Sequence, residues 1–159
     1  MKLFGNLKNK KPSLVNVIKY PNELIVETIN SSDTGVWLRS ISVSCKANSI
    51  DAFELGETIL VHLDKSKKVN YKKYDLETVN NNYKKVTKKK TIKKQMENAK
   101  LVSVYRENKT ITVTPHRNGG TSGSLKGYES IEEDKLVFTN SFKMEEIAKS
   151  VIQLFEKCK

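Results

Sequence analysis

Residues 48–67 read NSIDAFELGETILVHLDKSK, and residues 140–159 read NSFKMEEIAKSVIQLFEKCK. The two stretches align without a gap at an offset of 92 residues. Asn48/Asn140, Ser49/Ser141, Glu54/Glu146, Lys65/Lys157 and Lys67/Lys159 are identical. Leu55/Ile147, Gly56/Ala148, Ile59/Val151, Leu60/Ile152 and Leu63/Phe155 keep one apolar or small-residue stripe at helical spacing. Each stretch reads as an amphipathic helix opened by an Asn-Ser cap, the first running to about residue 65 and the second starting at Ser141.

Strand patterns precede both helices. LVNVIK (14–19), ELIVETI (23–29) and VWLRSISVSC (36–45) come before the first, with a Tyr-Pro-Asn turn at 20–22 and a loop at 30–35. KLVSVYR (100–106) and TITVT (110–114) form a hairpin candidate around Glu107-Asn108-Lys109, and KLVFT (135–139) leads to the second helix. The expected class is therefore α+β. Two related β-rich halves, about 13–65 and 100–159, each end in a helix, with antiparallel strands packed against the helices in a single domain over 1–159. The match between the halves has two readings: an internal duplication, or the common pattern of a capped amphipathic helix after a strand.

Between the halves lies a Lys-rich connection, 65–94. It holds twelve lysines against two acids, Asp75 and Glu77, and so carries nearly all of the chain's net charge of +11. Its periodicity is weak, and Asn80-Asn81-Asn82 interrupts it. It reads as a solvated connection with a short helix near 88–98. Local charge suggests a local partner. Tyr71, Tyr74 and Tyr83 sit among the lysines, and lysine for phosphates with tyrosine for stacking bases suits a nucleic-acid channel. The lysine bias itself, 26 Lys to 3 Arg, fits an AT-rich coding sequence, although that does not explain the crowding.

At 159 residues, 37% hydrophobic and 30% charged, the chain is long enough for a real core and too apolar for disorder. Cys45 and Cys158 form no CxxC and no disulfide framework, which suggests a reducing compartment. MKLFGNLKNKKPS at the N-terminus lacks the apolar run of a signal peptide, and no run approaches 18 apolar residues. These features lead us to expect a cytoplasmic protein without a membrane partner.

Catalytic signals are weak. His62 and His116 could serve a ribonuclease only if the fold brought them together. No HExxH, CxxC pair, EF-hand loop, GxSxG or GxxxxGK[ST] occurs, so neither a metal nor another cofactor is expected. Gly119, Gly120 and Gly123 lie in NGGTSGSLKGY (118–128), which reads as a flexible loop because no helix start follows to bind phosphate. Trp37, on a strand, is expected in the core. A binding protein, not an enzyme, is the expectation.

Several motifs carry a family resemblance. TKKKTIKKQMENAK (87–100) runs into LVSVYR, a short turn and TITVTP closed by Pro115. An apolar strand and a helix of the type Ser-x-x-x-Glu-Glu-Ile-Ala (141–148) follow, and ANSIDAFELGETILVHLDKSK (47–67) supplies the N-terminal element. The pattern resembles the immunity proteins of contact-dependent growth inhibition, the CdiI type. The chain departs from that pattern in its more basic middle and its glycine-rich loop. The resemblance implies a cytoplasmic, non-enzymatic inhibitor of the C-terminal toxin domain of a cognate CdiA protein, often a nuclease acting on tRNA. Exposure and residue type nominate Lys68, Tyr71, Lys72, Tyr74, Tyr83, Arg106, His116, Arg117 and Tyr128 as toxin contacts.

A basic inhibitor of a nuclease poses an electrostatic problem, because nuclease sites are themselves basic. Either the toxin offers an acidic face, or the lysines point away from the interface, or the toxin is no nuclease. The alternative function is a small RNA- or DNA-binding protein using the Lys/Tyr segment 65–94, although that segment has no arginine for base or phosphate forks.

Overall fold

The computed structural model describes residues 11–159. The expectation for the N-terminal segment, residues 1–10, lies outside the described residues. Strands β1 (Ser13–Lys19), β2 (Glu23–Ser32) and β3 (Trp37–Ala47) are followed by α1 (Ala52–Lys65) and the two-residue β4 (Lys68–Val69). A 3-10 turn (Tyr71–Lys73), α2 (Leu76–Thr87) and α3 (Ile92–Met96) come next. Then β5 (Lys100–Glu107), β6 (Thr110–Asn118), β7 (Tyr128–Ser130) and β8 (Leu136–Thr139) lead to α4 (Met144–Leu154).

One sheet organises the molecule. Its order is β3-β2-β1-β5-β6, with β8 beside residues 110–113 of β6 and β7 beside 116–118. All pairings are antiparallel except that of β4, which runs parallel to the end of β2. The α+β expectation with antiparallel strands against helices therefore holds.

α1 and α4 cover one face of the sheet. Alternation sends Val15, Val17, Leu24, Val26, Val102, Val104, Ile111 and Val113 toward them. The helices answer with Leu55, Ile59, Leu63, Ile147, Val151 and Phe155. Four of the five aligned stripe pairs are thus buried; in the fifth, Leu60 is half-buried against the core and Ile152 is exposed. The Asn-Ser pairs, however, cap neither helix. α1 is capped by Asp51, whose carboxylate accepts from the Glu54 amide at 2.8 Å. Asn48 instead donates to the carbonyls of Tyr20 and Pro21, tying the helix approach to the β1–β2 turn. At α4 the capping position is Lys143, whose amide donates to Glu146 Oε2 at 3.0 Å, and Asn140 adopts a left-handed φ of 67°.

Gly56 sets the approach of α1 to α4. A Cβ there would lie 2.7 Å from the Met144 carbonyl carbon and oxygen, which are backbone atoms that cannot rotate aside. Gly56→Ala is expected to lower stability by about 1–3 kcal/mol, because overpacking outweighs the gain in helix propensity. A lower urea midpoint at unchanged slope checks this.

The connection is not a solvated linker. α2 packs across β3 on the sheet's second face, and α3 follows it. Asp75 caps α2 by accepting from Thr78 N at 3.0 Å and Thr78 Oγ1 at 2.8 Å, and Lys88, left-handed at φ 62°, ends it. Val79, Tyr83 and Thr87 are its buried residues. Tyr83 joins Ile18, Tyr20, Ile25, Ala99 and Leu101 in a second, smaller core.

The expectation for Trp37 fails. Trp37 lies on this second face and is 36% exposed, its ring edge-on to Tyr105 with centroids 6.1 Å apart. The glycine-rich loop is closed upon itself: Gly119 N donates to Gly127 O at 2.8 Å, and Gly127 N donates to Gly120 O at 2.9 Å. A Cβ on Gly119 would fall 1.4 Å from Leu125 O, so only glycine permits that crossing.

Candidate partner-binding groove

The second face of the sheet is only partly covered. Between α2, α3 and the open strands lies a cavity of about 400 Å³. Trp37, Ile92, Met96 and Tyr128 are among its lining residues, with Asn16, Glu27, Arg39, Tyr83 and Gln95. Ile92 is 60% exposed, because α3 turns it toward solvent rather than toward the second core.

The polar part of the groove is a connected network. Arg39 Nε donates to Glu27 Oε2 at 2.8 Å, and Glu27 is almost wholly buried. Asn16 Nδ2 reaches Glu27 Oε1 at 3.4 Å. Arg39 Nη1 reaches Asn80 Oδ1 and Gln95 Oε1, both at 3.4 Å. Its guanidinium stands 3.6 Å from the centroid of the Tyr83 ring, a cation–π contact that seats α2 on the strands. Tyr20 donates from its hydroxyl to Gln95 O at 2.5 Å. Burial pushes the Tyr20 phenol up to about 12 and raises Tyr83 and Tyr128 as well, so all three are neutral. The Tyr128 hydroxyl is buried without a hydrogen-bond partner among the described residues. Among the described residues, Glu27 and Arg39 are the only acidic and basic side chains lining the groove, and they form an ion pair with each other.

The nominated residues divide by location. Tyr83 and Tyr128 line the groove, although Tyr83 is buried. Lys68, Tyr71, Lys72 and Tyr74 form an arch beside it: Tyr74 donates from its hydroxyl to Arg39 O at 2.6 Å, and Tyr71 N donates to Asp33 Oδ1 at 2.8 Å. Lys68, Tyr71 and Lys72 are exposed. His116 and Arg117 lie on β6, paired with β7, next to Tyr128. Arg117 is ion-paired to Glu129. Arg106 lies on the other face, buried, and donates to Asp64 Oδ1 at 2.9 Å. Buried as they are, Tyr83 and Arg106 offer a partner no side-chain surface. Trp37, Arg39 and Ile92 are residues that sequence reasoning did not nominate.

The ribonuclease arrangement is absent. His62 faces the helix side, between Thr28 and Ser44, whereas His116 pairs with Ser103 on the opposite face, with Nε2 2.9 Å from its Oγ. Burial lowers both imidazoles, so neither is charged at neutral pH. The stacking platform of a nucleic-acid channel is also missing from 65–94: Tyr83 is buried under Arg39 and Tyr74 is tied by its hydroxyl, which leaves Tyr71. No helix among the described residues is long and apolar enough to cross a membrane.

The sheet thus carries helices on both faces, and the second face keeps an aromatic-rimmed groove of the size that takes a partner's side chains. The sequence matches the family model of CdiI, the CDI immunity protein, over residues 14–158, and the chain belongs to that family. Two solved structures share the fold. A Neisseria meningitidis protein of unknown function superposes with a TM-score of 0.77 at 18% identity, covering 98% of this chain and all of that one. A chain of the CdiA-CT/CdiI toxin and immunity complex from Yersinia pseudotuberculosis superposes with a TM-score of 0.74 at 15% identity, covering 96% of this chain and all of that one. No curated protein matches the sequence.

Proposed function

We propose that this immunity protein acts in the cytoplasm by binding the C-terminal toxin domain of a cognate CdiA effector and holding it inactive, without catalysing a reaction itself. We take the toxin to be a nuclease, with tRNA as its substrate, because the family resemblance favours it. The observation that carries the reading is the groove: Trp37, Arg39 and Tyr128 are of the residue types that dominate binding energy at protein interfaces, and here they are gathered at one open face. Lysines 65–94 contribute none of the groove's lining. That supports an interface centred on the neutral groove, with Lys68 and Lys72 only at its edge, and it eases the objection to a basic nuclease as partner.

Co-expression with the toxin domain tests this. The protein is expected to restore growth, to co-purify one to one, and to suppress tRNA cleavage by the isolated toxin. Trp37→Ala and Ile92→Asp are each expected to weaken the complex by about 30-fold, on the scale of interface hot spots. Val61→Asp, on the exposed side of α1, is expected to leave affinity unchanged. Wild-type affinity in both groove variants would move the interface elsewhere, and failure to form any complex would end the immunity reading.

A further inference from the structure

A second cavity, of about 570 Å³, lies at the end of the sheet where β1 finishes and β5 begins. It is lined by Lys19, Lys100 and Lys159 together with Tyr20, Pro21 and Cys158, and no carboxylate side chain lines it. Lys19 and Lys100 are direct cross-strand partners in the β1–β5 register. Like charges directly opposite on an antiparallel pair repel and destabilise it. None of the three lysines has an ion-pair partner among the described residues. Lys19 instead rests its ammonium 5.7 Å from the centroid of the Phe155 ring.

The wall is preorganised. Asn118 Nδ2 donates to Met96 O at 2.7 Å and to Ala99 O at 2.9 Å, while its Oδ1 accepts from Gly120 N at 3.0 Å. One side chain thus fixes the end of β6, the α3–β5 turn and the start of the glycine loop around the same space. Asn118 N also donates to Lys159 O at 2.8 Å, which holds the C-terminal residues against it. A pocket of ligand size, lined by three lysines without an ion-pair partner among the described residues, holds a repulsion between Lys19 and Lys100 that an anion relieves.

From these features we propose that the pocket binds a small phosphomonoester with an apolar or aromatic body, its phosphate between Lys19 and Lys100 and its body against Pro21 and Cys158. Lysine serves phosphate as a point charge, which suits a site built without arginine. The site is separate from the groove, so its test stands apart from toxin binding.

Adenosine monophosphate is the probe, titrated into the full chain by calorimetry, with inorganic phosphate as competitor. One-to-one saturable binding is expected, displaced by phosphate, and weakened about tenfold or more in Lys19→Gln and in Lys100→Gln, the loss of one charge-assisted contact. Lys72→Gln with Lys73→Gln removes two distant charges and is expected to leave binding unchanged. The pocket variants are expected to melt no lower than wild type, since they remove repulsion, and the probe is expected to raise the melting temperature of wild type but not of the double pocket variant. Equal weakening by the distant variants would reduce the binding to general polycation attraction and overturn the proposal. So would absence of saturable binding. Loss of toxin affinity in the pocket variants without any probe binding would assign the pocket to an acidic side chain of the toxin, and would also overturn it.

Discussion

Arg39→Leu is expected to destabilise the protein by about 3–5 kcal/mol, because it strands the buried Glu27 carboxylate without its cation. The size follows from asymmetry. Glu27 is almost wholly buried on a central strand, and its remaining contact, Asn16 Nδ2 at 3.4 Å, is a long and neutral one. The substitution also removes the guanidinium from the Tyr83 ring and releases its contacts with Asn80 and Gln95, which link α2 and α3 to the strands. Two controls separate the charge from the packing. Glu27→Leu combined with Arg39→Leu is expected to recover much of the loss, since removing both partners leaves no buried ion. Arg39→Lys is expected to recover little, because lysine reproduces neither the fork nor the stacked plane. Urea denaturation of wild type, Glu27→Leu, Arg39→Leu and the double variant checks the cycle, with Arg39→Lys measured beside them. Additive losses in the double variant would show that the ion pair is not coupled.

Acidification is expected to weaken the fold between pH 6.5 and pH 4, by about 3 kcal/mol in total from His62 alone. Burial, with Lys65 and Lys46 nearby, lowers this imidazole from 6.5 to about 4. Thr28 Oγ1 donates to the His62 carbonyl oxygen at 2.9 Å, so it accepts from Nδ1–H at 2.8 Å, and Ser44 donates to Nε2 at 2.8 Å. The native state therefore holds a neutral ring. Above pH 6.5 the folded and unfolded chains are both neutral at this position, and its contribution is constant. As pH falls through 6.5 the unfolded chain takes up a proton that the folded chain refuses until about pH 4, and stability declines across that window. His116, also lowered by burial, adds in the same direction. Stability measured against pH is expected to slope less steeply in His62→Gln than in wild type. Identical slopes would remove His62 as the cause.

The helix-side layer was legible in the sequence because its signal is apolar and periodic. Leu55, Ile59 and Leu63 and their counterparts Ile147, Val151 and Phe155 announce a buried stripe, and alternation in β1, β5 and β6 announces the sheet beneath it. The second layer was not legible. α2 buries only Val79, Tyr83 and Thr87, four residues apart in a run of asparagine and lysine, and composition outvoted that spacing. The caps were misread for a related reason. Asparagine and serine suit both a cap and a turn, and only the tertiary contacts of Asn48 with Tyr20 and Pro21 decide between them. Of the nominated residues, Tyr83 and Tyr128 fall at the groove, Tyr83 buried in its floor, while Trp37 and Ile92 at its rim were not nominated. A strand tryptophan usually means core, and nothing in the sequence shows that one face of the sheet is left partly open.

The α2–α3 wall has a consequence for how the unbound molecule moves. It is held by three buried side chains of α2, Gln95 of α3, and the Arg39 network, whereas α1 and α4 share a large apolar core. Layers seated by few apolar contacts open at a lower free energy than the whole fold. Amide protons of residues 76–96 are expected to exchange through a local opening, and those of β1 and β5 only through global unfolding. At the interface we propose, a partner lodged against Trp37 and Ile92 would close that opening. Part of its binding free energy would then go into holding the wall in place, and proteolysis within 76–96 is expected to slow in the complex.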